Sequence, residues 1–286
     1  MQASVSLGDF LKSRRASVDP AAAGVSSINR RRVAGLRREE VAMIAGVSVA
    51  YYTRLEQGKA QNASNEVLLA LARAMRMTST ETEHLMDLAH TTGEYAQSLA
   101  SEEPSAGGLA MIDAVWDKPA ILLGRYSDVL AWTPLGHALI APDLAFNAVQ
   151  NAATRPNLPR LLFLDAQVRE SYQDWEHEAD SFVAYLRLMS GKYPGDPRLE
   201  RLVGELCMKD DSFARLWAAG RVGECTTGTK HLTHERVGQL SVDFHLWHNA
   251  EQSEQRLEIY SPHNEAAKES LTLLASLTAT EHLHMH

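Results

Sequence analysis

The sequence has little cysteine and no long hydrophobic run. Its 286 residues include only Cys207 and Cys225, which excludes a disulfide framework and the usual four-ligand zinc ribbon. No segment approaches the ~20 apolar residues of a membrane-spanning helix. The N-terminus lacks the basic and apolar regions of a secretion signal. We therefore expect a cytoplasmic protein with no membrane partner.

Motifs for catalysis and cofactor binding are also missing. The sequence has no phosphate-binding glycine loop, no zinc signature and no G-x-S-x-G elbow. Histidines at 231, 234, 245 and 248 are close in sequence. Within each pair, however, residues three apart on a predicted strand point to opposite faces, which is poor geometry for a metal. We predict no catalytic residue, no metal site and no cofactor, and hence no enzyme.

The charge is unevenly distributed. The formal net charge is −8, but residues 1–77 hold 12 of the 28 basic and only 6 of the 36 acidic residues. That segment therefore carries +6 and the remainder −14. A basic module joined to an acidic one suggests that the first meets nucleic acid. The same asymmetry also occurs in proteins without such a partner.

A domain boundary is predicted between residues 98 and 108, where the sequence SLASEEPSAGG is small, polar and turn-forming. All five tryptophans follow residue 110. We expect a first domain at 1–97, a linker at 98–108 and a second domain at 109–286. The periodicity of the first domain is helical and predicts five helices, at residues 5–15, 37–45, 48–57, 65–75 and 79–91.

The second domain is predicted to mix strands and helices. Two strands at 120–124 and 128–133 form a hairpin, and a helical block follows at 134–220. In that block an apolar stripe runs from Val168 to Met189, and Asp196 and Asp211 are expected helix caps. Strands return at 227–233, 238–247 and 255–260, before a last helix at 264–275. This order is that of a PAS-like domain, in which a five-stranded antiparallel sheet and a helical insert enclose a cavity.

Residues 36–58 predict a helix-turn-helix. Two short helices are joined by Gly46 and Val47, and Gly46 is expected to end the first while Ser48 caps the second. On the first helix Val41, Ile44 and Ala45 have the spacing of an inward apolar face. On the second helix Tyr52 and Leu55 are spaced to anchor inward. The outward residues match the face that a recognition helix lays in the major groove; they are Ser48, Val49, Ala50, Thr53 and Arg54. A small helical bundle with a charged face is the alternative interpretation.

Each outward residue suits a particular contact with DNA. Arg54 can bind guanine through two hydrogen bonds, and Val49 and Ala50 can meet a thymine methyl group. Arg38 and Lys59, near helix ends, suit phosphates. The long segment 16–35 contains a basic run that is either an arm reaching DNA or a solvated loop; we favour the arm, formed by Arg30, Arg31 and Arg32.

The residues just described resemble the XRE (Cro-type) helix-turn-helix family. The fuller string from Arg30 to Ala42, together with Tyr51–Gly58, resembles regulators whose second half is an MmyB-like ligand-binding domain. The likeness covers nearly the whole chain. Beyond the first domain it continues through Pro119–Gly124, Asp128–Trp132, Leu161–Leu164, Trp175, Tyr193–Pro197, Phe213–Trp217, Gly228–Lys230 and Val237–Gly238.

The resemblance implies specific properties. Arg15 should pair with Glu56, tying the first helix to the third. The second domain should hold a pocket for a small, largely apolar ligand such as a fatty acid. Aromatic residues are the candidate lining, although aromatics at this spacing are more often core residues; they are Trp116, Trp132, Phe146, Trp175, Phe182, Trp217 and Phe244.

The sequence therefore predicts a homodimeric transcription regulator that binds a double-stranded DNA operator sequence-specifically and responds to a small ligand. A protein-interaction adaptor, with the helix-turn-helix as a tether and no ligand, is the second hypothesis. An enzyme fused to a DNA-binding module is the third.

Overall fold

The structure is a computed structural model that describes residues 6–25, 35–59, 63–90, 102–248 and 255–284. The chain divides into two compact units. The first, here called the helical unit, comprises Met1–Leu99 and Val183–Glu224. The second, the sheet unit, comprises Ala100–Phe182 and Cys225–His286. Each unit has its own hydrophobic core.

The helical unit begins with the five helices that the periodicity predicts. Their ends differ from the expected ones by a few residues at most. They are α1 (Leu7–Ser17), α2 (Arg38–Ala45), α3 (Val49–Glu56), α4 (Asn65–Ala74) and α5 (Ser79–His90). Serines begin several of them, because the side chain of a serine N-cap accepts a hydrogen bond from the first turn.

Further helices and the strands follow along the chain. They are α6 (Ala106–Ala114), β1 (Ala120–Leu123), β2 (Val129–Trp132), α7 (Pro134–Ile140), a 3-10 helix (Phe146–Gln150), α8 (Leu158–Leu164), α9 (Ala166–Ser171), α10 (Trp175–Lys192), α11 (Pro197–Lys209), α12 (Asp211–Ala219), β3 (Thr227–His234), β4 (Gly238–His248), β5 (Arg256–Pro262) and α13 (Glu265–His284). Helix α6 was not expected, and it begins within the predicted linker 98–108.

The strands form one antiparallel sheet, in the order β2-β1-β5-β4-β3. Two strands, a run of helices and three further strands confirm the predicted fold class. One face of the sheet carries the main core of the unit, with Ile121, Val242 and Phe244 among its buried residues. The opposite face packs a smaller cluster that includes Leu122 and Leu257.

The predicted apolar stripe from Val168 to Met189 does not form one helix. Helix α9 ends at Ser171, and Tyr172 forms an isolated β-bridge with Leu232. The next residue, Gln173, donates its backbone N–H to the carbonyl of His231 at 2.9 Å. Bonding to β3 thus replaces the helical hydrogen bonds at this point. Helical periodicity on both sides could not reveal the interruption.

Two caps within the helical block were predicted, and one is correct. Asp196 caps α11, with Pro197 in its first turn. Helix α12, however, is capped by Asp210, whose side chain accepts from the N–H of Phe213 at 2.7 Å. The prediction of Asp211 was therefore wrong by one residue, because two adjacent aspartates offer the same capping chemistry.

Residues 183–224 pack with the N-terminal helices. Trp217 of α12 lies against the core that α1 to α5 build, and Ser13 donates its hydroxyl to the carbonyl of Ala219 at 2.9 Å. The guanidinium of Arg187 lies 4.1 Å from the centre of the Trp217 ring and also donates to the Trp217 carbonyl. The predicted second domain, 109–286, includes Arg187, Trp217 and Ala219.

A buried histidine lies in the same packing layer. The ring of His84, on α5, is fully buried and meets Phe10 edge to face at 4.8 Å. A side chain at Gly191 of α10 would collide with this ring. Burial, and then the charge of Arg187, lower the pKa of His84 to about 4. The ring is therefore neutral at physiological pH, as its apolar surroundings require.

Helix α1 approaches α3 closely, because residue 8 is glycine. A Cβ atom at Gly8 would collide with the carbonyl oxygen of Glu56. We expect Gly8→Ala to lower the free energy of unfolding by about 1–3 kcal/mol, since the two helices must separate. Chemical denaturation measures the change.

Gly204→Ala is the matched control in the same unit. Gly204 lies inside α11, and a Cβ atom added there would meet no described atom within 4 Å beyond the backbone of its own helix. Alanine at this position should raise the free energy of unfolding by about 0.5–1 kcal/mol, because it favours the helical backbone. Equal effects of the two substitutions would contradict the close approach of α1 and α3.

Candidate nucleic-acid interface and ligand cavity

The turn between α2 and α3 has the geometry of a helix-turn-helix. Gly46 ends α2 in the left-handed region, at a φ of 68°, where glycine is favoured. The hydroxyl of Ser48 then accepts a hydrogen bond from the N–H of Tyr51 at 3.1 Å and begins α3. Gly58, at a φ of 66°, follows the end of α3. The three residues fix where the second helix starts and stops.

The inner face of α3 is anchored as expected. Tyr52 and Leu55 are fully buried in the core of the helical unit. Val41 and Ala42 of α2 belong to the same core. Ile44 was predicted to face inward with Val41, but it is 39% exposed. The prediction of Ile44 as a core residue was wrong, because a helix of only two turns presents a narrow face to its neighbours.

The predicted outward residues of α3 are accessible. Ser48, Val49, Ala50 and Arg54 are exposed, and Thr53 is half-buried. Among the described residues, the Arg54 guanidinium makes only a long hydrogen bond to the carbonyl of Lys59, at 3.5 Å. Glu56 is the one carboxylate in α3, and it is buried. The exposed face of the helix therefore carries positive charge without a compensating acid of its own.

Apolar side chains on both sides of the turn are also exposed. Met43 is 71% exposed, and Ile44 and Val49 are also exposed. The exposure of Val49 was predicted from the sequence, whereas that of Met43 and Ile44 was not. Their position in a predicted amphipathic helix gave no sign that they would face solvent.

Glu56 connects three helices of the helical unit. Its carboxylate accepts from Nε of Arg15 in α1 at 2.5 Å and from Nε of Arg38 in α2 at 2.6 Å. The hydroxyl of Tyr52 donates to it from within α3, at 2.8 Å. We call these four residues the Glu56 cluster. The Arg15–Glu56 pair that the family resemblance implied is confirmed.

Protonation equilibria reflect this arrangement. Burial alone would raise the pKa of Glu56, but the hydrogen bonds from Arg15, Tyr52 and Arg38 outweigh it and lower the pKa below its usual range. Burial, and then the hydrogen bond to Glu56, raise the pKa of the Tyr52 hydroxyl. The cluster therefore holds an ionised carboxylate and a neutral phenol at physiological pH.

The predicted phosphate-binding residues differ in exposure and in the partners they already have. Lys59 is exposed. The Nε of Arg38 is committed to Glu56, although 43% of the side chain remains exposed. Arg30, Arg31 and Arg32 lie outside the described residues. The contacts of all five with DNA remain predictions.

The sheet unit contains a cavity of about 350 Å³ between α7, α9 and β3. That volume lies at the lower end of the range for small-molecule sites. Its wall combines apolar and polar side chains. The lining residues are Leu139, Ile140, Pro142, Asp143, Gln167, Val168, Glu170, Ser171, Tyr172, Leu232, Thr233, His234 and Glu235.

The seven aromatic residues selected from the sequence are not brought together. Trp132 and Phe146 lie 6.3 Å apart, while Trp175 meets Phe163 at 5.5 Å. Trp116 is 68% exposed, and Trp217 belongs to the helical unit. Phe182 and Phe244 flank the ammonium of Lys230. None of the seven lines the cavity described above, and their contact with a ligand remains a prediction.

A buried ion cluster in the sheet unit was not anticipated. Lys230 of β3 donates to Glu178 at 2.6 Å and lies 3.7 Å from Glu258 of β5. Its ammonium is also 4.4 Å from the centre of the Phe244 ring. Burial opposes the charge of Lys230, but the two carboxylates prevail and raise its pKa. A lone lysine in an alternating strand pattern gave no sign of this pairing.

The described ranges contain neither a candidate metal site nor a candidate membrane span. No group of three or more His, Cys, Asp or Glu residues could hold a metal ion there. No helix in those ranges is long and apolar enough to span a membrane.

Two family models match the chain. The model for the MmyB-like transcription regulator ligand binding domain matches residues 104–274. The model for a helix-turn-helix domain matches residues 6–85, and its match includes α2, α3 and the Glu56 cluster. Neither description names an enzyme. A comparison with curated proteins found no match.

The Glu56 cluster should be sensitive to acid. We expect Glu56→Gln to lower the free energy of unfolding by about 3–5 kcal/mol near pH 7, because it leaves Arg15 without its buried partner. A carboxylate with a lowered pKa stabilises the fold above its unfolded pKa, and that contribution is lost as pH falls. The gap between wild type and variant should therefore begin to narrow below about pH 4.5, the ordinary value, and be lost as the pH falls through the lowered pKa of Glu56.

Denaturant titrations at several pH values measure this gap. Glu83→Gln on α5 is the control, because Glu83 is exposed and its substitution should change stability by less than about 0.5 kcal/mol. A gap for Glu56→Gln that stays constant from pH 7 to pH 3 would contradict the assignment of an ionised carboxylate to the cluster.

Proposed function

Because the chain belongs to the MmyB-like transcription regulator ligand-binding-domain family and carries a helix-turn-helix domain, we propose that it is a sequence-specific DNA-binding transcription regulator whose affinity for DNA changes when a small ligand binds. The observation that carries the proposal is the exposed, positively charged face of α3. Its backbone is fixed by caps at both ends and by buried anchors. We propose no enzymatic activity.

In the proposed complex α3 lies in the major groove. Arg54 donates two hydrogen bonds to a guanine, and Val49 and Ala50 pack against a thymine methyl group. Ser48 and Thr53 complete the reading face. The exposure of Arg54 and the absence of an acid on this face, among the residues described, support these roles.

Phosphate contacts would set the register of the helix without reading sequence. We assign this role to Lys59 and to the exposed part of Arg38. Arg38 bound to Glu56 would offer its terminal N–H groups from a fixed position. Arg30, Arg31 and Arg32 are proposed to form a basic arm that also reaches the backbone or the minor groove.

We further propose a homodimer. Regulators that read DNA with one short helix commonly use two copies on two half-sites. The half-sites would then be about one helical turn apart, roughly 34–36 Å. An operator with an inverted repeat would reflect the two-fold symmetry of such a dimer.

The ligand is proposed to bind in the sheet unit. The cavity between α7, α9 and β3, of about 350 Å³, supports a small molecule with an apolar body. A ligand changes DNA affinity only if it binds the DNA-competent and incompetent states unequally. We propose that α10 carries the effect, since Trp175–Phe182 belong to the sheet unit and Val183–Lys192 to the helical unit.

Substitution of Arg54 tests the DNA-reading role. Arg54→Ala should weaken binding to the preferred sequence by about 1–3 kcal/mol and relax the preference at one base pair. Arg54→Lys should relax it similarly while keeping the charge, because lysine cannot form the two-pronged contact. Fluorescence anisotropy on a set of single-base operator variants measures both effects.

Lys59→Ala is the matched comparison. This substitution should weaken binding to all DNA sequences by about the same factor. The slope of log K against log salt should decrease by about one, because one phosphate contact is lost. If Arg54→Ala also weakened all sequences equally, Arg54 would be a phosphate contact. If the wild-type protein showed no sequence preference at all, the adaptor hypothesis would replace the regulator.

A further inference from the structure

The cavity in the sheet unit has an apolar interior. Leu139 and Ile140 of α7, Val168 of α9 and Leu232 of β3 contribute to its wall, and Tyr172 adds an aromatic ring. Such a wall suits an alkyl or aryl body. The apolar part of the wall does not by itself determine the charge of the ligand.

The charged residues of the wall are all acidic. Asp143, Glu170 and Glu235 line the cavity, and its described wall contains no lysine or arginine. All three carboxylates are exposed, and none has a hydrogen-bond or ion-pair partner in the described parts of the chain. Within the described wall, therefore, no basic side chain balances these three acids.

The one histidine of the described wall is not free to receive an anion. One ring nitrogen of His234, Nδ1, accepts a hydrogen bond from the backbone N–H of Arg236 at 3.2 Å. The other, Nε2, is 2.8 Å from the carbonyl of Ala138. Both ring nitrogens are thus occupied by backbone groups of the protein. His234 therefore has no free ring nitrogen to offer a ligand anion.

The buried lysine near the cavity is not free to receive an anion. The Lys230 ammonium lies 6.0 Å from the centre of the Tyr172 ring, which is part of the wall. It is already bound to Glu178 at 2.6 Å and lies 3.7 Å from Glu258. Two carboxylates face this one ammonium, and Oε1 of Glu258 has no hydrogen-bond partner among the described residues. A ligand carboxylate would meet repulsion here rather than an open cation.

We propose that the cavity binds a small amphipathic organic cation, an amine or quaternary ammonium with an apolar body, in preference to a carboxylate of the same length. The apolar body occupies the interior, and the positive group lies at the acidic mouth. This inference rests on the proposed ligand-responsive function and names its ligand class. It departs from the fatty acid that the family resemblance implied.

Three probes with the same chain length test the preference. Octyltrimethylammonium, 1-octanol and octanoate are titrated into the intact protein by calorimetry, each below the concentration at which it aggregates. We expect saturable binding of the cation, at least about tenfold tighter than octanoate, with the alcohol between them. Because the acids are exposed, added salt should shrink this preference.

Neutral variants locate the charge effect. Asp143→Asn, Glu170→Gln and Glu235→Gln should each weaken binding of the cation by about two- to fivefold, the range for exposed ion pairs. The triple variant should lose about tenfold or more while binding of 1-octanol stays unchanged. Asp113→Asn, an exposed acid on α6, is the control and should change nothing.

Three outcomes would overturn the inference: no saturable binding of the cation, tighter binding of octanoate, or unchanged cation affinity in the triple variant. A preference for octanoate would leave the proposed regulator intact, because it would still identify a small-molecule site. Failure of the proposed DNA-binding function would instead appear in the Arg54 experiments, which use no ligand.

Discussion

The helix-turn-helix depends on one buried carboxylate. Glu56 receives hydrogen bonds from Arg15, Arg38 and Tyr52, so α1, α2 and α3 share a single ionic contact. A buried charge of this kind costs free energy unless all its partners are in place. The cluster therefore favours one arrangement of the three helices. Because α3 carries the outward face, the position of that face is coupled to a contact on the opposite side of the helix.

Local features of this region could be predicted from the sequence. The serine cap at Ser48 and the left-handed glycine at Gly46 are determined by residues within one turn, and both are confirmed. The spacing of Tyr52 and Leu55 also gave the buried face correctly. Arg15–Glu56 spans 41 residues, and only the resemblance to a known family proposed it. Periodicity alone does not link residues that far apart.

Contacts that depend on packing between distant segments escaped sequence analysis. The Nε of Arg38 binds Glu56, whereas a helix-end arginine is typical of a phosphate contact. Residues 183–224 pack with the N-terminal helices, although their amphipathic patterns give no partner. Lys230 looked like an ordinary strand residue, and its carboxylate partners come from α10 and β5. In each case the missing information was which surfaces meet.

The central claim is that the outer face of α3, held in place through Glu56, reads a DNA sequence. An unbiased selection of DNA sites by the intact protein, at one fixed salt concentration, measures this most directly. The account predicts enrichment of a single motif with two half-sites, repeated about one helical turn apart. The account would be contradicted if the selected DNA contained no enriched motif and bound no more tightly than random DNA.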